Sequence, residues 1–371
     1  MKTIILSANS SWYLYNMRAS TIKDFLKLDY KVICIAPKDS FTEKLESLGC
    51  ICKHLAMSSK STNPLRDIFL FCQFFFYYST IKPFVIFHFT IKNNIYGTWA
   101  AGILRIPTVN NISGLGTAFL NQGTLNFFVR ILYKLSQRLA YKVFCQNPDD
   151  LQFLIDKKLV PISKLGLLPG SGVDLTRFNP SLKKLFPTKN IFTFIYVGRM
   201  LKDKGLIELV DAVALVNKEK IICNLNLCGF TNVDNASSIS QELIDEWKNL
   251  SWINWIGPSE TVELEIAKSD CLVLPSYREG MPKSLLEAGA IGIPVIATDV
   301  PGCRNIVDDG KNGLLCQPKD SKDLARALNE IMLKSKTEIL KMSNNARAKI
   351  ELEFDEKIVI KEAIRVLNEL A

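Results

Sequence analysis

The chain has 371 residues, of which 48% are hydrophobic and 22% charged. This composition excludes a disordered chain, and the length favours two domains over one. The net charge of +9 is uneven, since residues 1–170 hold 20 Lys and Arg against 9 Asp and Glu, and residues 171–371 hold 26 against 28. A basic half suggests nucleic acid, a membrane surface or an anionic ligand as partner. No nucleic-acid-binding motif accompanies it, so nucleic acid is not expected.

Short apolar, β-branched runs alternate with helical stretches along the first half of the chain. Such alternation predicts βαβ units and a parallel sheet. The predicted strands of this half cover residues 2–7, 31–36, 84–89, 108–112 and 142–146.

The same pattern restarts after a stretch rich in turn formers at residues 169–180, which is predicted to link two domains. The fold prediction is therefore α/β, with two doubly wound parallel sheets. Ligands of such sheets bind beyond the carboxyl ends of the strands, so chemistry is expected in a cleft between the domains. The second set of predicted strands covers residues 191–197, 224–228, 271–274 and 294–297, and helices are predicted to begin near Gly205, Pro258, Lys283 and Asp320.

Two apolar stretches bear on membrane contact. Residues 68–78 form an apolar run that Lys82 and Pro83 stop well short of the ~20 residues needed to span a bilayer. Residues 125–141 mix phenylalanine and leucine with three cations, Arg130, Lys134 and Arg138. This pattern suits a helix lying in an anionic lipid interface, or else a helix packed on the sheet with a solvated basic edge. The surrounding basic half favours peripheral membrane contact.

The ten cysteines lie mostly inside apolar runs, and no CxxC pair occurs. They are predicted to be buried free thiols of a reducing cytoplasm rather than disulfides or zinc ligands. The first 30 residues do not have the pattern of a signal peptide, which also favours the cytoplasm.

Cations follow the first strand of the second half. Arg199 comes directly after the strand end at Gly198, and Lys204 precedes a predicted helix start at Gly205. Cations together with the free amides of a helix N-terminus form an anion site, and a diphosphate would fit there.

Residues 277–287 (YREGMPKSLLE) place two carboxylates eight positions apart, Glu279 and Glu287. They suggest a glycosidase pair, a metal site, two hydroxyl acceptors of one ligand, or surface charge. Eight residues of helix would rise about 12 Å, whereas glycosidase carboxylates lie ~5 to 9.5 Å apart. This spacing disfavours the hydrolytic pair and suits an elongated ligand. No clustered Asp-x-Asp or histidine and carboxylate set accompanies the site, so no metal or other cofactor is expected.

Together these motifs resemble glycosyltransferase family 4, the retaining, metal-independent transferases of the GT-B fold, over nearly the whole chain. Residues 292–297 (GIPVIA), Gly302 and residues 312–314 (NGL) extend the likeness. The resemblance implies that Arg199 and Lys204 neutralise the leaving diphosphate, Glu279 holds the donor sugar and Glu287 holds the ribose. The other implied donor contacts are Gly198, Gly280, Met281, Pro282 and Lys283.

Three segments of the first half, residues 10–18, 90–97 and 113–119, resemble the members that extend undecaprenyl-diphosphate-linked sugars, such as N-acetylgalactosaminyltransferases. Two departures from the family are evident. Ser10-Ser11 stands where many members have Gly-Gly, and Ser113 stands where many have a catalytic histidine. His88 could supply an imidazole, or it could be a buried structural histidine. The implied acceptor contacts are Asn16, Arg18, His88, Lys92, Ser113, Gly114 and Gly116.

By this resemblance residues 1–170 form a basic, membrane-facing acceptor domain, residues 171–354 a donor domain, and residues 355–371 a helix that crosses back to the first. The expected activity is transfer of a hexose or N-acetylhexosamine from a nucleotide sugar, such as UDP-GalNAc, in bacterial surface polysaccharide (O-antigen) or glycan assembly. The expected location is the inner face of the cell membrane. A nucleotide-sugar 2-epimerase and a non-catalytic nucleotide-sugar-binding protein are the alternatives.

Overall fold

A computed structural model describes residues 1–57, 63–114, 124–186, 191–220, 222–231, 235 and 237–371, without the side chains of residues 124–127 and 185. The chain forms two compact units. The first comprises Met1–Ser171 and Lys357–Ala371, and the second comprises Gly172–Glu356.

The first unit is built on a seven-stranded, wholly parallel sheet with the order β3-β2-β1-β4-β5-β6-β7. Its strands are β1 (Thr3–Ser7), β2 (Lys31–Ala36), β3 (Ile51–His54), β4 (Val85–Phe89), β5 (Thr108–Ile112), β6 (Lys142–Cys145) and β7 (Leu165–Leu167).

Helices cover the faces of this sheet, since every position of its central strands except Thr3 is buried. The final helix of the chain belongs to this unit and contributes Val359, Val366 and Leu367 to its core. The helices are α1 (Ser11–Lys27), α2 (Thr42–Glu46), α3 (Pro64–Ile81), α4 (Thr98–Ile103), α5 (Thr124–Gln137), α6 (Pro148–Asp156) and the final helix (Glu356–Leu370), with a π-helical turn at Asn93–Gly97.

The second unit has a six-stranded parallel sheet with the order β10-β9-β8-β11-β12-β13. Its strands are β8 (Phe192–Val197), β9 (Cys223–Cys228), β10 (Ile253–Gly257), β11 (Cys271–Leu274), β12 (Val295–Thr298) and β13 (Gly313–Cys316). Its helices are α7 (Leu206–Val216), α8 (Gln241–Lys248), α9 (Val262–Ala267), α10 (Lys283–Ile291), α11 (Cys303–Ile306), α12 (Ser321–Leu333) and α13 (Lys336–Glu353), which makes the final helix α14.

The predicted α/β class with two doubly wound parallel sheets is confirmed. The four strands that the sequence did not predict are β3, β7, β10 and β13, the four edge strands. Three of them carry three or more exposed or half-buried positions, so they lack the continuous burial of a central strand. The fourth, β13, begins at a glycine, a residue typical of turns, so the sequence does not indicate a strand there.

Two further expectations can be compared with the structure. All ten cysteines are free thiols and eight are buried, while Cys52 is half-buried and Cys72 is exposed. The apolar run at residues 68–78 lies within α3, which is 18 residues long. Among the helices of the described ranges, none combines the length and the apolar composition that crossing a bilayer requires.

Candidate active site

The strand order places the loops after β8 and β11 side by side in the second unit. These two strands are neighbours at the point where the strand order reverses, which is where doubly wound sheets bind ligands. The first loop holds Gly198, Arg199 and Lys204, and the second holds residues 275–282.

A lysine and a glutamate join the two loops. Nζ of Lys204 lies 2.5 Å from Oε1 of Glu279, and the side chains are only 18% and 12% exposed. The Ser276 hydroxyl donates to the same oxygen at 2.6 Å. Within the described residues Oε2 of Glu279 has no hydrogen-bond partner, so one carboxylate oxygen is fixed and the other can accept a hydroxyl.

Arg199 lies exposed in the first loop, next to a buried tyrosine. The Tyr196 hydroxyl donates to the backbone carbonyl of Arg199 at 2.8 Å. Burial, and next the Glu279 carboxylate, hold the pKa of Tyr196 well above its usual range, so the hydroxyl stays a donor. The Arg199 guanidinium makes no hydrogen bond to the described part of the chain. The loop backbone is thus fixed while its cation stays available to an anion.

Glycines allow these loops to pack backbone against backbone. A Cβ on Gly205, at φ +70°, would lie 2.1 Å from the carbonyl oxygen of Pro275, and one on Gly302, at φ +83°, would lie 2.6 Å from that of Gly280. Only glycine tolerates both the positive φ and the close approach. The loops after β8, β11 and β12 are therefore held together by contacts that exclude side chains.

Helix α10 begins at Lys283, and no described side chain caps its N-terminus. The N-terminus of a helix carries partial positive charge and can bind an anion. Met281 and Pro282, which precede the helix, are partly and fully buried, so this turn is anchored in the core.

Glu287 lies in α10 and is 7% exposed. Its Oε1 lies 4.0 Å from Nζ of Lys283. Burial raises the pKa of Glu287 to about 6, partly offset by the nearby Lys283 and Arg177 cations. The estimate of about 12 Å between Glu279 and Glu287 assumed helix throughout, but the helix covers only the interval from Lys283 onward, so this argument against a glycosidase pair is weaker than the spacing suggested.

Sequence reasoning did not single out three residues that brace the site. Ser276 holds Glu279, as described above. Tyr277 donates its backbone N–H to the Asp203 carbonyl at 3.0 Å and its hydroxyl to Oε1 of Glu208 at 2.5 Å. The positions of these residues in the sequence could have identified them, because Ser276 and Tyr277 follow the end of β11 and Glu208 lies in the first turn of α7.

In the first unit the loops after β1 and β4 are neighbours at the corresponding reversal of strand order. Ser10 caps α1, accepting from the Tyr13 N–H at 3.1 Å, and the Ser11 hydroxyl donates to the Pro37 carbonyl at 3.1 Å. The serines in place of Gly-Gly therefore have structural partners. Asn16 is half-buried, and its amide donates to the Trp12 carbonyl at 3.0 Å.

Arg18 on α1 is 3% exposed, and its Nε and Nη2 atoms have no hydrogen-bond partner in the described part of the chain. The guanidinium carbon lies 4.5 Å from the centre of the Phe89 ring, at the end of β4. The next residue, Thr90, has φ +99°, a strained conformation for a β-branched residue. The buried guanidinium of Arg18 and the strained backbone of Thr90 thus occur together at the end of β4.

Lys92 differs from Arg18 because its charge is neutralised. Its Nζ lies 2.6 Å from Oδ1 of Asp67, and the Tyr96 hydroxyl donates to Oδ2 of the same carboxylate at 2.8 Å. This ion pair ties the segment after β4 to α3.

His88 is fully buried, and both ring nitrogens have partners. Nε2 lies 2.9 Å from the Tyr78 hydroxyl and Nδ1 lies 2.9 Å from Oδ1 of Asn110. Burial lowers the pKa of His88 to about 4, so the ring is neutral at physiological pH. These contacts correct the expectation that His88 contacts the acceptor, and they match the alternative of a buried structural histidine.

The loop after β5 holds the remaining candidates. Ser113 is exposed, and Gly114 has φ +121°, which suits glycine. Gly116 lies outside the described residues. Ser113 and Gly114 therefore follow a third strand end of the first sheet.

The chain is similar to known proteins in both sequence and fold. Residues 179–349 match the family model described as glycosyl transferases group 1. The chain is 29% identical to N,N'-diacetylbacillosaminyl-diphospho-undecaprenol alpha-1,3-N-acetylgalactosaminyltransferase of Campylobacter jejuni subsp. jejuni serotype O:2, over 96% of this chain and 95% of that protein. It is 27% identical to UDP-Gal:alpha-D-GlcNAc-diphosphoundecaprenol alpha-1,3-galactosyltransferase of Escherichia coli, over 70% and 68%.

The solved structure of Anabaena HepE in complex with UDP and glucose superposes with a TM-score of 0.81, at 19% identity, over 99% of this chain and 100% of that chain. At this identity the likeness shows the fold alone, and with the two parallel sheets it confirms the GT-B prediction. The chain is therefore a glycosyltransferase, and its second unit carries a domain of the glycosyl transferases group 1 family.

Proposed function

We propose that this chain transfers a hexose or N-acetylhexosamine from a nucleotide sugar, UDP-GalNAc being the first candidate, to an undecaprenyl-diphosphate-linked sugar, with retention of anomeric configuration. The main support is the arrangement of Arg199, Lys204 and Glu279 where β8 and β11 meet. Both relatives named above are, by their names, transferases that act on diphospho-undecaprenol-linked sugars.

The chemistry assigned to these residues is charge stabilisation. As the glycosidic bond breaks, negative charge builds on the departing diphosphate, and cations positioned beforehand gain strength where it develops. Arg199 and Lys204 supply that charge, and the amides at the start of α10 add partial positive charge. Oε2 of Glu279 accepts donor sugar hydroxyls, and Glu287 accepts the ribose hydroxyls. A donor phosphate oxygen takes the acceptor proton on the same face, and no metal ion is required.

Within the first unit, we assign the acceptor diphosphate to Arg18 rather than Lys92. A buried cation without a hydrogen-bonded partner costs free energy, and a bound anion would remove that cost. Lys92 is already paired with Asp67, so it has less to gain from a phosphate. The strained Thr90 beside Phe89 is consistent with a strand end shaped for binding rather than for stability.

The Arg18→Met variant tests this assignment. We expect the KM for the lipid-linked acceptor to rise by roughly 10-fold to 100-fold, because a charge-assisted contact is lost. The free energy of unfolding should stay unchanged or increase, since methionine removes an unpaired buried charge. Steady-state kinetics and urea unfolding measure both quantities.

Lys92→Met is the matched control. It should lower the free energy of unfolding by about 1–3 kcal/mol, since it leaves the mostly buried Asp67 carboxylate without its cation. A structural role for Arg18 would instead make both variants less stable, with little change in acceptor KM for Arg18→Met.

The transfer itself is tested by product analysis. The protein is incubated, in the presence of EDTA, with a panel of nucleotide sugars and an undecaprenyl-diphosphate-linked N-acetylhexosamine. We expect a product heavier by one sugar, with the anomeric configuration of the donor by NMR. Release of a free epimerised sugar from the donor alone would indicate a 2-epimerase, and UDP binding without any product would indicate a binding protein.

An undecaprenyl chain stays in the bilayer, so the proposed acceptor requires this protein to work at a membrane surface. The basic first half and the ten free thiols support the inner face of the cell membrane as that surface. Fractionation of cells that express the protein should recover it with inner membranes, and high salt should weaken this association.

A further inference from the structure

Helix α3 exposes a continuous apolar stripe. Its buried face is made of Leu70, Phe74 and Tyr78, as expected for a helix on a sheet. The opposite face is also apolar and recurs at three-residue and four-residue spacing, so both faces of the helix are hydrophobic. The exposed members of this face are Leu65 (75% exposed), Ile68 (58%), Phe69 (57%), Phe75 (36%) and Phe76 (64%). A soluble helix that is apolar all round is normally buried on all sides, and α3 is not.

Helix α5 also exposes apolar side chains, and its buried face carries polar residues as well as apolar ones. Its buried face includes Tyr133, Ser136 and Gln137. Gln137 accepts from the Asn110 amide at 2.7 Å and donates to the Asn94 carbonyl at 3.0 Å, so this face joins the buried polar network around His88. The exposed side carries Phe128, Ile131 and Leu135, and Leu139 follows directly after the helix. Helix α5 therefore exposes apolar side chains on one side, while Val129, Leu132 and Tyr133 pack against the core on the other.

Helices α3 and α5 flank one segment of the first unit. Both pack against the π-helical turn at Asn93–Gly97 and against α4. Exposed apolar patches of this kind mark interaction surfaces.

The charges on this surface suit an anionic partner. Arg66 and Arg138 are exposed, and Lys134 is half-buried. Helix α5 contains no acidic residue, and the one acid of α3, Asp67, is paired with Lys92. Apolar side chains flanked by cations match the boundary between anionic headgroups and acyl chains.

We propose that the exposed faces of α3 and α5 together form the surface by which the first unit lies on an anionic bilayer, with the apolar stripe of α3 entering the acyl region. This inference rests on the proposed function, because a polyprenyl-linked acceptor requires contact with a membrane. It adds α3 as the principal insertion element, whereas the sequence pattern indicated only α5.

The test measures partition of the whole protein into vesicles of phosphatidylglycerol and phosphatidylethanolamine by flotation. The α3 variant Leu65→Ser/Ile68→Ser/Phe76→Ser should reduce the partition coefficient by roughly 100-fold or more, since three large apolar side chains no longer leave water. The matched control is Leu333→Ser/Leu340→Ser/Leu352→Ser in the second unit, where the three leucines are similarly exposed. This control should float like the wild type.

A second pair of measurements separates this inference from the proposed function. The α3 variant should transfer sugar to a short-chain, water-soluble prenyl diphosphate acceptor at the wild-type rate, and should lose transfer only to acceptor held in vesicles. Wild-type flotation of the α3 variant would overturn the inference and leave the transferase assignment intact. A second outcome would also overturn the inference: a wild type that does not bind vesicles and forms dimers, together with an α3 variant that is monomeric. The exposed face of α3 would then be a protein interface.

Discussion

At the scale of single residues, Arg199 is an exposed cation of the proposed donor site. Its backbone is held by the Tyr196 hydroxyl, while its guanidinium is available to an anion. We expect Arg199→Ala to lower kcat by roughly 100-fold or more, the scale of one lost charge-stabilising contact. The free energy of unfolding should hardly change, because the side chain is exposed. Single-turnover kinetics measure the effect, and near-normal turnover would remove Arg199 from its assigned role.

Glu287 provides a prediction about pH. Burial raises its pKa from the ordinary 4.5 to about 6, so the folded state binds a proton more tightly than the unfolded state does. The stability of the fold therefore falls as pH rises from 4.5 to about 6 and stays lower above that range. Glutamine has no charge to bury, so the free energy of unfolding of Glu287→Gln should be higher than that of the wild type, by at most about 2 kcal/mol at pH 7.5.

The measurement for Glu287 is urea unfolding of both proteins between pH 4 and 8. The two free energies should converge below pH 4.5, where the wild-type carboxyl is protonated in both states. A difference that does not vary with pH would show that burial of the charged form is not its cause. Donor KM of the same variant reports separately on the ribose contact, which glutamine would weaken.

At the scale of elements, contacts without side chains hold the loops after β8, β11 and β12 together. Gly205→Ala places a methyl group 2.1 Å from the Pro275 carbonyl oxygen, so the loops after β8 and β11 must separate. We expect a loss of about 3 kcal/mol or more in the free energy of unfolding, and a higher donor KM, because Lys204 and Glu279 move apart.

Gly310 is a matched control for Gly205. It has φ +73°, close to the +70° of Gly205, but a Cβ there would meet nothing within 4 Å. Gly310→Ala should therefore cost only the backbone strain, about 1 kcal/mol, with no change in donor KM. Equal losses in urea unfolding of the two variants would mean that the contact with Pro275 contributes nothing.

At the scale of the whole molecule, the chain leaves the first unit after Ser171 and returns to it at Lys357. The core of the first unit is completed by Val359, Val366 and Leu367 of α14. A fragment of residues 1–171 should consequently be unstable, since an apolar face worth on the order of 5 kcal/mol is uncovered. Joining residues 357–371 to it through a flexible linker should restore a cooperative thermal transition. Equal cooperativity of the two fragments would contradict a structural role for α14.

The central strands, the two-sheet plan and the cations and carboxylates of the donor loops could be predicted from local pattern. Buried parallel strands are continuous apolar runs, and chemistry-bearing residues directly follow them. The edge strands could not be predicted from local pattern, because β3, β7 and β10 carry several exposed or half-buried positions and β13 begins at a glycine. Glu208 was missed because its contact with Tyr277 depends on which loops the strand order brings together, and Ser276 because its contact with Glu279 depends on how the turn after β11 folds.

By itself the sequence determined the fold class, the basic character of the first half and the spacing of the donor motifs, because periodicity, charge and turn chemistry are local properties. Only the tertiary structure decided that Lys92 is neutralised while Arg18 is not, that His88 is enclosed, and that the apolar stripes of α3 and α5 face outward. Each of these depends on partners distant in sequence, and pairing and burial exist only once the elements have packed.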